Sequence, residues 1–249
     1  MNDHEKLNTN AAILLDPYLL KPKMVSFYET GLCKFMDFYL IFIVFALPYA
    51  YLEKSLAAFL ICILLTALFF WCNKVRIKQN KQIDFIEQYK FPPTVKECVS
   101  KHYPWLSEDQ LSLVMQGLRQ YFQLCRITPN FISMPSQVID VAWHEFIVYT
   151  KSYATFCQYG AGHFVHHTPK QEMIDVSVLE EGMKEAWYLA CEWEGIDQKS
   201  PSRLPFIFAL DAALTIPDGF YHQLKNDYAK NIITGGGCGG NGCGGCGGC

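Results

Sequence analysis

The sequence predicts a mainly α protein: an N-terminal two-helix transmembrane hairpin, a helical cytoplasmic domain and a disordered Gly/Cys tail. Three observations predict this. Two apolar runs, Phe38–Leu52 and Ser55–Cys72, are separated only by a short link carrying Glu53-Lys54. Downstream, apolar residues recur at helical spacing and no segment alternates convincingly with period two. Residues 235–249 are almost entirely Gly and Cys, a composition that cannot build a core. The expected divisions are an N-terminal segment at 1–30, the hairpin at 31–77, the helical domain at 78–234 and the tail at 235–249.

Residues 1–30 are mixed and polar, with Pro17 and Pro22 as breakers and a short surface segment around 11–20. The start has no apolar core of the signal-peptide kind, so cleavage is not expected. A transmembrane helix needs about 20 residues. The first run reaches that length if Leu32–Asp37 continues the helix, with Lys34 snorkelling at one end. Lys21, Lys23 and Lys34 precede the first run, and Lys74, Arg76, Lys78 and Lys81 follow the second. The bias of cations to the cytoplasmic side then places both termini and the helical domain in the cytoplasm, with the lipid bilayer (plasma or inner membrane) as a partner. Two other readings of the same stretch are a re-entrant hairpin, favoured by Pro48, and a helical hairpin buried in a soluble core.

In the helical domain Phe91-Pro92-Pro93 stops one helix, and Ser107-Glu108-Asp109-Gln110 is a capping box for the next. Leu111, Val114, Met115, Leu118, Tyr121, Phe122 and Cys125 follow with helical period and read as core, as do Tyr103 and Trp105. A further helix is expected over 136–158, capped by Ser133 or Ser136 and ended by Gly160 and Gly162. A second capping box at Thr168-Pro169-Lys170-Gln171 starts a helix that stops at Gly195. The apolar run Leu204–Ile216 ends in the turn Pro217-Asp218-Gly219, and a last short helix is expected around 220–229.

Composition narrows the function. A net charge of -3 offers no positive field for a phosphate backbone, so nucleic acid is not an expected partner. Eleven cysteines, four of them in the tail and the rest scattered, do not form the framework of a small disulfide-rich domain. The pattern has no second His at Val148 to complete a metalloprotease helix, no phosphate-binding glycine loop and no nucleophile elbow.

What stands out is histidine clustering. Four of the seven histidines lie between 144 and 167. Asp140 and His144 are spaced i, i+4 and share a helix face. His163, His166 and His167 lie on a loop returning to that helix. Imidazole and carboxylate at this density form a candidate divalent-metal group, with zinc or another divalent ion as cofactor. The competing reading makes His144 a capped or core histidine and His166-His167 surface residues. Cys157, roughly 140° from His144 around a straight helix, packs with Tyr149, Tyr153 and Phe156 on this geometry. In the tail, Cys238, Cys243, Cys246 and Cys249 are spaced so that four thiolates can converge on a soft metal, be modified, or do neither.

The run Val138-Ile139-Asp140-Val141-Ala142-Trp143-His144, with Tyr153 and Gly160/Gly162 before a His-containing turn, resembles the core motif of glycine-rich domain proteins, known in plants with uncharacterised bacterial relatives. Phe146 stands where the plant pattern has a second histidine. The resemblance covers about residues 95–230 plus the tail and implies a fold rather than a mechanism.

Three functions follow as expectations. One is a membrane-anchored protein binding a divalent metal or small ligand at Asp140, His144 and His163, His166 and His167. Another is a hydrolase-type enzyme at the same place, with His144 as general base. The last is a scaffold acting through its Gly/Cys tail.

Overall fold

The computed structural model describes residues 56–168, 176–225 and 228. The first arm of the expected hairpin, the segment at 11–20, most of the second capping box and the Gly/Cys tail lie outside the described residues. Every regular element among the described residues is helical. They fall into two compact units that meet between Phe85 and Ile86.

The first unit is described by α1, Leu56–Gln88, most of which belongs to it. This single helix is long and apolar enough to cross a membrane. Many of its apolar side chains are exposed, Leu56, Leu60, Leu64 and Trp71 each by more than half, while Cys62 and Cys72 on another face are buried. Thr66 turns its hydroxyl back to the Cys62 carbonyl at 2.6 Å, so the polar group is satisfied within the helix. The sequence places a boundary at residue 77, but the helix continues through the basic run to Gln88. No Gly or Pro lies between Leu56 and Gln88 to interrupt it.

The second unit is built on α3, Glu108–Ile127. Its start is the capping box read from the sequence: Gln110 N–H donates to Ser107 Oγ at 3.3 Å, and Ser107 N–H donates to Gln110 Oε1 at 2.9 Å. Its apolar stripe packs against α2 (Pro93–His102), α4 (Gln137–Val148), α6 (Val176–Glu194) and α7 (Phe206–Ala213). Phe122 is fully buried and its ring meets those of Trp143, Phe146, Tyr153 and Phe156. Aromatic rings in these tilted and edge-on contacts gain beyond simple area burial. Gly117 lets α3 approach two helices at once. A Cβ there would lie 2.7 Å from Ile139 Cδ1 of α4 and 3.1 Å from Leu210 Cδ2 of α7.

Three local expectations are revised. The helix expected over 136–158 is broken: α4 ends at Val148, Tyr149 leaves helical geometry at φ -79 and ψ 58, and α5 covers Thr150–Phe156. The Tyr149 hydroxyl is held by Thr94 at the start of α2, a tertiary bond that local periodicity does not reveal. A π-helical segment, Cys157–Ala161, follows α5 and closes with Gly162 N–H on the Cys157 carbonyl at 2.8 Å, Gly162 having φ 82. Trp105 is 53% exposed rather than core, whereas its neighbour Tyr103 is buried and bonded to Asp218. Residues 220–225 form no helix; there the Phe220 N–H donates to Asp211 and the Tyr221 hydroxyl to the Ile216 carbonyl.

The stop at Gly195 holds. Gly195 has φ 66, and Ile196 N–H bonds the Cys191 carbonyl at 2.9 Å, closing α6 with a left-handed cap.

Candidate metal centre

The N-terminus of α4 is fastened from two directions. Ser136 caps it, accepting from Ile139 N–H at 3.4 Å. Asp211 of α7, only 1% exposed, accepts from Ser136 Oγ at 2.6 Å, Gln137 N–H at 2.6 Å and Val138 N–H at 3.3 Å. Burial raises the Asp211 pKa above its ordinary value, and the donors around it pull the other way. The first free turn of α4 then presents Asp140, and the next turn presents His144.

The loop after the π segment approaches the same face. Trp143 Nε1–H donates to the Tyr153 hydroxyl at 3.0 Å, and Tyr153 donates to the Val165 carbonyl at 2.5 Å. Burial raises the Tyr153 pKa far above the usual phenol value, so the hydroxyl stays protonated and able to donate. This relay pins the loop two residues before His167, whose ring meets Trp143 edge-on at 4.6 Å.

Among the described residues, Asp140, His144 and His167 form the group whose ligand atoms all lie within 4.8 Å of one another. His167 Nε2 is 2.9 Å from His144 Nε2 and 3.1 Å from Asp140 Oδ1. His144 Nε2 is 3.6 Å from Asp140 Oδ2. The side chains of Asp140 and His167 are 21% and 18% exposed, that of His144 55%. The group therefore sits on a lip, with one ligand open to solvent.

These separations have a simple chemical meaning. A ring nitrogen carries either one N–H or one lone pair. A proton on His167 Nε2 can serve the Asp140 carboxylate, but the same hydrogen cannot also bridge well to His144. Ligands 2.0–2.1 Å from a tetrahedral zinc ion lie about 3.3 Å from each other. The three observed separations bracket that value, with the two rings facing different oxygens of Asp140, so a cation bound between the rings could take one carboxylate oxygen after a small adjustment of the side chains.

The other sequence candidates are placed differently. His163 is half-buried and His166 is exposed against the Phe164 ring at 4.8 Å. Neither joins the three-residue group. Cys157 is buried, and burial raises its thiol pKa against the opposing influence of the Val165 backbone and the Tyr153 hydroxyl beside it. The tail thiols lie outside the described residues. Asp211 escaped the sequence reading as a positioning residue; the signal was an acid in the middle of the apolar run Leu204–Ile216.

The class defined so far is a helical domain with a two-histidine, one-carboxylate cluster at its surface. The profile of the UCP032817-like family matches residues 81–242, and the chain belongs to that family. This corrects the resemblance to glycine-rich domain proteins. Its short motif consists largely of core positions: Val138 and Ile139 are fully buried and Trp143 is 4% exposed. Such a pattern suits any helix packed on two sides, and a Gly/Cys tail is a matter of composition. Neither a curated protein nor a solved structure matches the chain.

Proposed function

We propose that this is a membrane-anchored helical protein whose domain binds one divalent cation, zinc in the first place, through Asp140, His144 and His167. The carrying observation is the convergence of two ring nitrogens and a carboxylate at separations of 2.9, 3.1 and 3.6 Å. His163 and His166, on the same loop, are the nearest reserves in sequence for a further ligand. The cations Lys74, Arg76, Lys78 and Lys81 after the span favour a cytoplasmic domain. The apolar run Phe38–Leu52 favours a second pass that brings both termini to that side.

The exposure of His144 favours a second reading, an enzyme at the same place. Three protein ligands on an open lip leave a coordination position for water, the arrangement of catalytic rather than structural zinc. His144 would then be a ligand rather than the free general base. A scaffold acting through Cys238, Cys243, Cys246 and Cys249 is the remaining alternative.

The test is metal content by mass spectrometry on the full chain in detergent, free of affinity histidines. The expected result is about one zinc per chain, lost in His144→Ala and kept when all four tail cysteines are replaced by Ser. Metal retained in His144→Ala and lost with the tail cysteines would move the function to the tail. A well-folded chain without metal after zinc loading would reject the metal reading.

A further inference from the structure

Resting on the reading of α1 as a membrane span, we infer that the part of α1 just beyond its apolar stretch is a binding surface for anionic lipid headgroups. Lys74, Lys78 and Lys81 form this surface, with Arg76 on the opposite side of the helix. Cations beside a span can be topology signals and nothing more, so the geometry has to carry the distinction.

First, α1 is continuous from Leu56 to Gln88, so these residues sit at fixed helical positions. At 100° per residue, positions 74, 78 and 81 fall within about 60° of arc and spread over about 10 Å along the axis. They form one stripe, all exposed. Second, helical Cα–Cβ bonds tilt toward the N-terminus, which here means toward the apolar stretch. The lysine stems therefore lean back toward the headgroup layer, and their length lets the ammonium groups reach it. Third, residues 73–83 contain four cations and no acid; Asp84 is the first carboxylate. Among the described residues the ion pairs are Lys96–Glu108, His144–Asp140, His167–Asp140 and Arg203–Glu194, so none of the four cations is neutralised there. Fourth, Trp71, 60% exposed, stands at the border between the apolar and basic parts, where an indole suits the bilayer interface. Together, a clustered and uncompensated charge within about one Debye length of the surface matches a negative leaflet.

Trp71 supplies the readout. The full chain is reconstituted into vesicles of phosphatidylcholine with about a quarter phosphatidylglycerol, the proportion chosen so that the anionic lipid is a minority within the range where surface charge acts. Bromine is carried on one lipid or the other, and the signal of Trp71→Phe is subtracted to remove the other tryptophans. The expected result is quenching by brominated phosphatidylglycerol at least about twofold above that of random mixing. The excess should vanish in the variant Lys74→Gln, Arg76→Gln, Lys78→Gln, Lys81→Gln. In the unsubstituted chain it should fall away at about 0.5 M salt as the Debye length shortens. Quenching by the two lipids in proportion to their abundance overturns the inference and leaves the span intact. No quenching by either lipid overturns the span itself, and the inference with it.

Discussion

The Asp211 carboxylate accepts the Ser136 hydroxyl at 2.6 Å across a separation of 75 residues. With the Gln137 and Val138 N–H groups also on Asp211, the bond fastens the start of α4 to α7. Everything the candidate centre needs from α4 depends on that anchorage, because Asp140 and His144 lie on the next two turns.

Asp211→Ala should therefore be costly. It leaves three donors at the α4 terminus, and the Phe220 N–H, without their acceptor, two of these bonds being fully buried and two partly. A loss of about 3 kcal/mol is expected from the unsatisfied groups. Urea denaturation in detergent measures it, and a change within about 0.5 kcal/mol, the range of ordinary surface substitutions, would refute the anchoring role.

Tyr153→Phe tests the relay to the loop. It removes the donor to the Val165 carbonyl and the acceptor of the Trp143 N–H while keeping the ring in the core. Zinc affinity should drop about tenfold, the lower end of the effect of outer partners on metal sites. Calorimetric zinc titration on a variant of native helicity is the check; unchanged affinity would show that His167 is placed without Tyr153.

Gly117→Ala sets two effects against each other. Replacing an interior helical glycine gains about 1 kcal/mol of helix propensity. The added methyl would meet Ile139 at 2.7 Å and Leu210 at 3.1 Å within a packed core, and overpacking costs about 1–3 kcal/mol. The expected sign is a net loss of stability, visible as a lower urea midpoint. A raised midpoint would mean that α4 and α7 yield easily at that contact.

Stability should also depend on pH through His222. Burial lowers its pKa below 6.5, opposed by the bond of Nε2 to the Pro135 carbonyl and by Asp211. The unfolded chain then takes up its proton first as pH falls. The neutral-imidazole contribution is full above the unfolded value of about 6.5 and is lost as pH drops from there toward the folded value. Denaturation at about pH 7.5 and pH 5.5, either side of that value and with chelator present to silence the metal site, should show a smaller loss in His222→Gln. An equal loss in both proteins would assign the pH dependence elsewhere.

The sequence by itself determined the helical class, the long apolar helix through Leu56–Cys72, the capping box at Ser107 and the stop at Gly195. Each of these depends on residues within a few positions of one another: periodicity, a side chain reaching its own helix end, a glycine free to adopt φ 66. Histidine density also singled out the stretch in which Asp140, His144 and His167 come together. Tertiary structure decided what happens inside it. The break at Tyr149 is secured by Thr94, the loop is held by Tyr153 on Val165, and α4 is fastened by Asp211. It also decided which imidazoles meet. His167 joins Asp140 and His144, while His163 and His166 sit apart, although all three loop histidines lie within five positions. Spacing along a loop says nothing about direction. Hydrogen bonds and ring contacts from distant parts of the chain set that direction, and they exist only once the helices have packed.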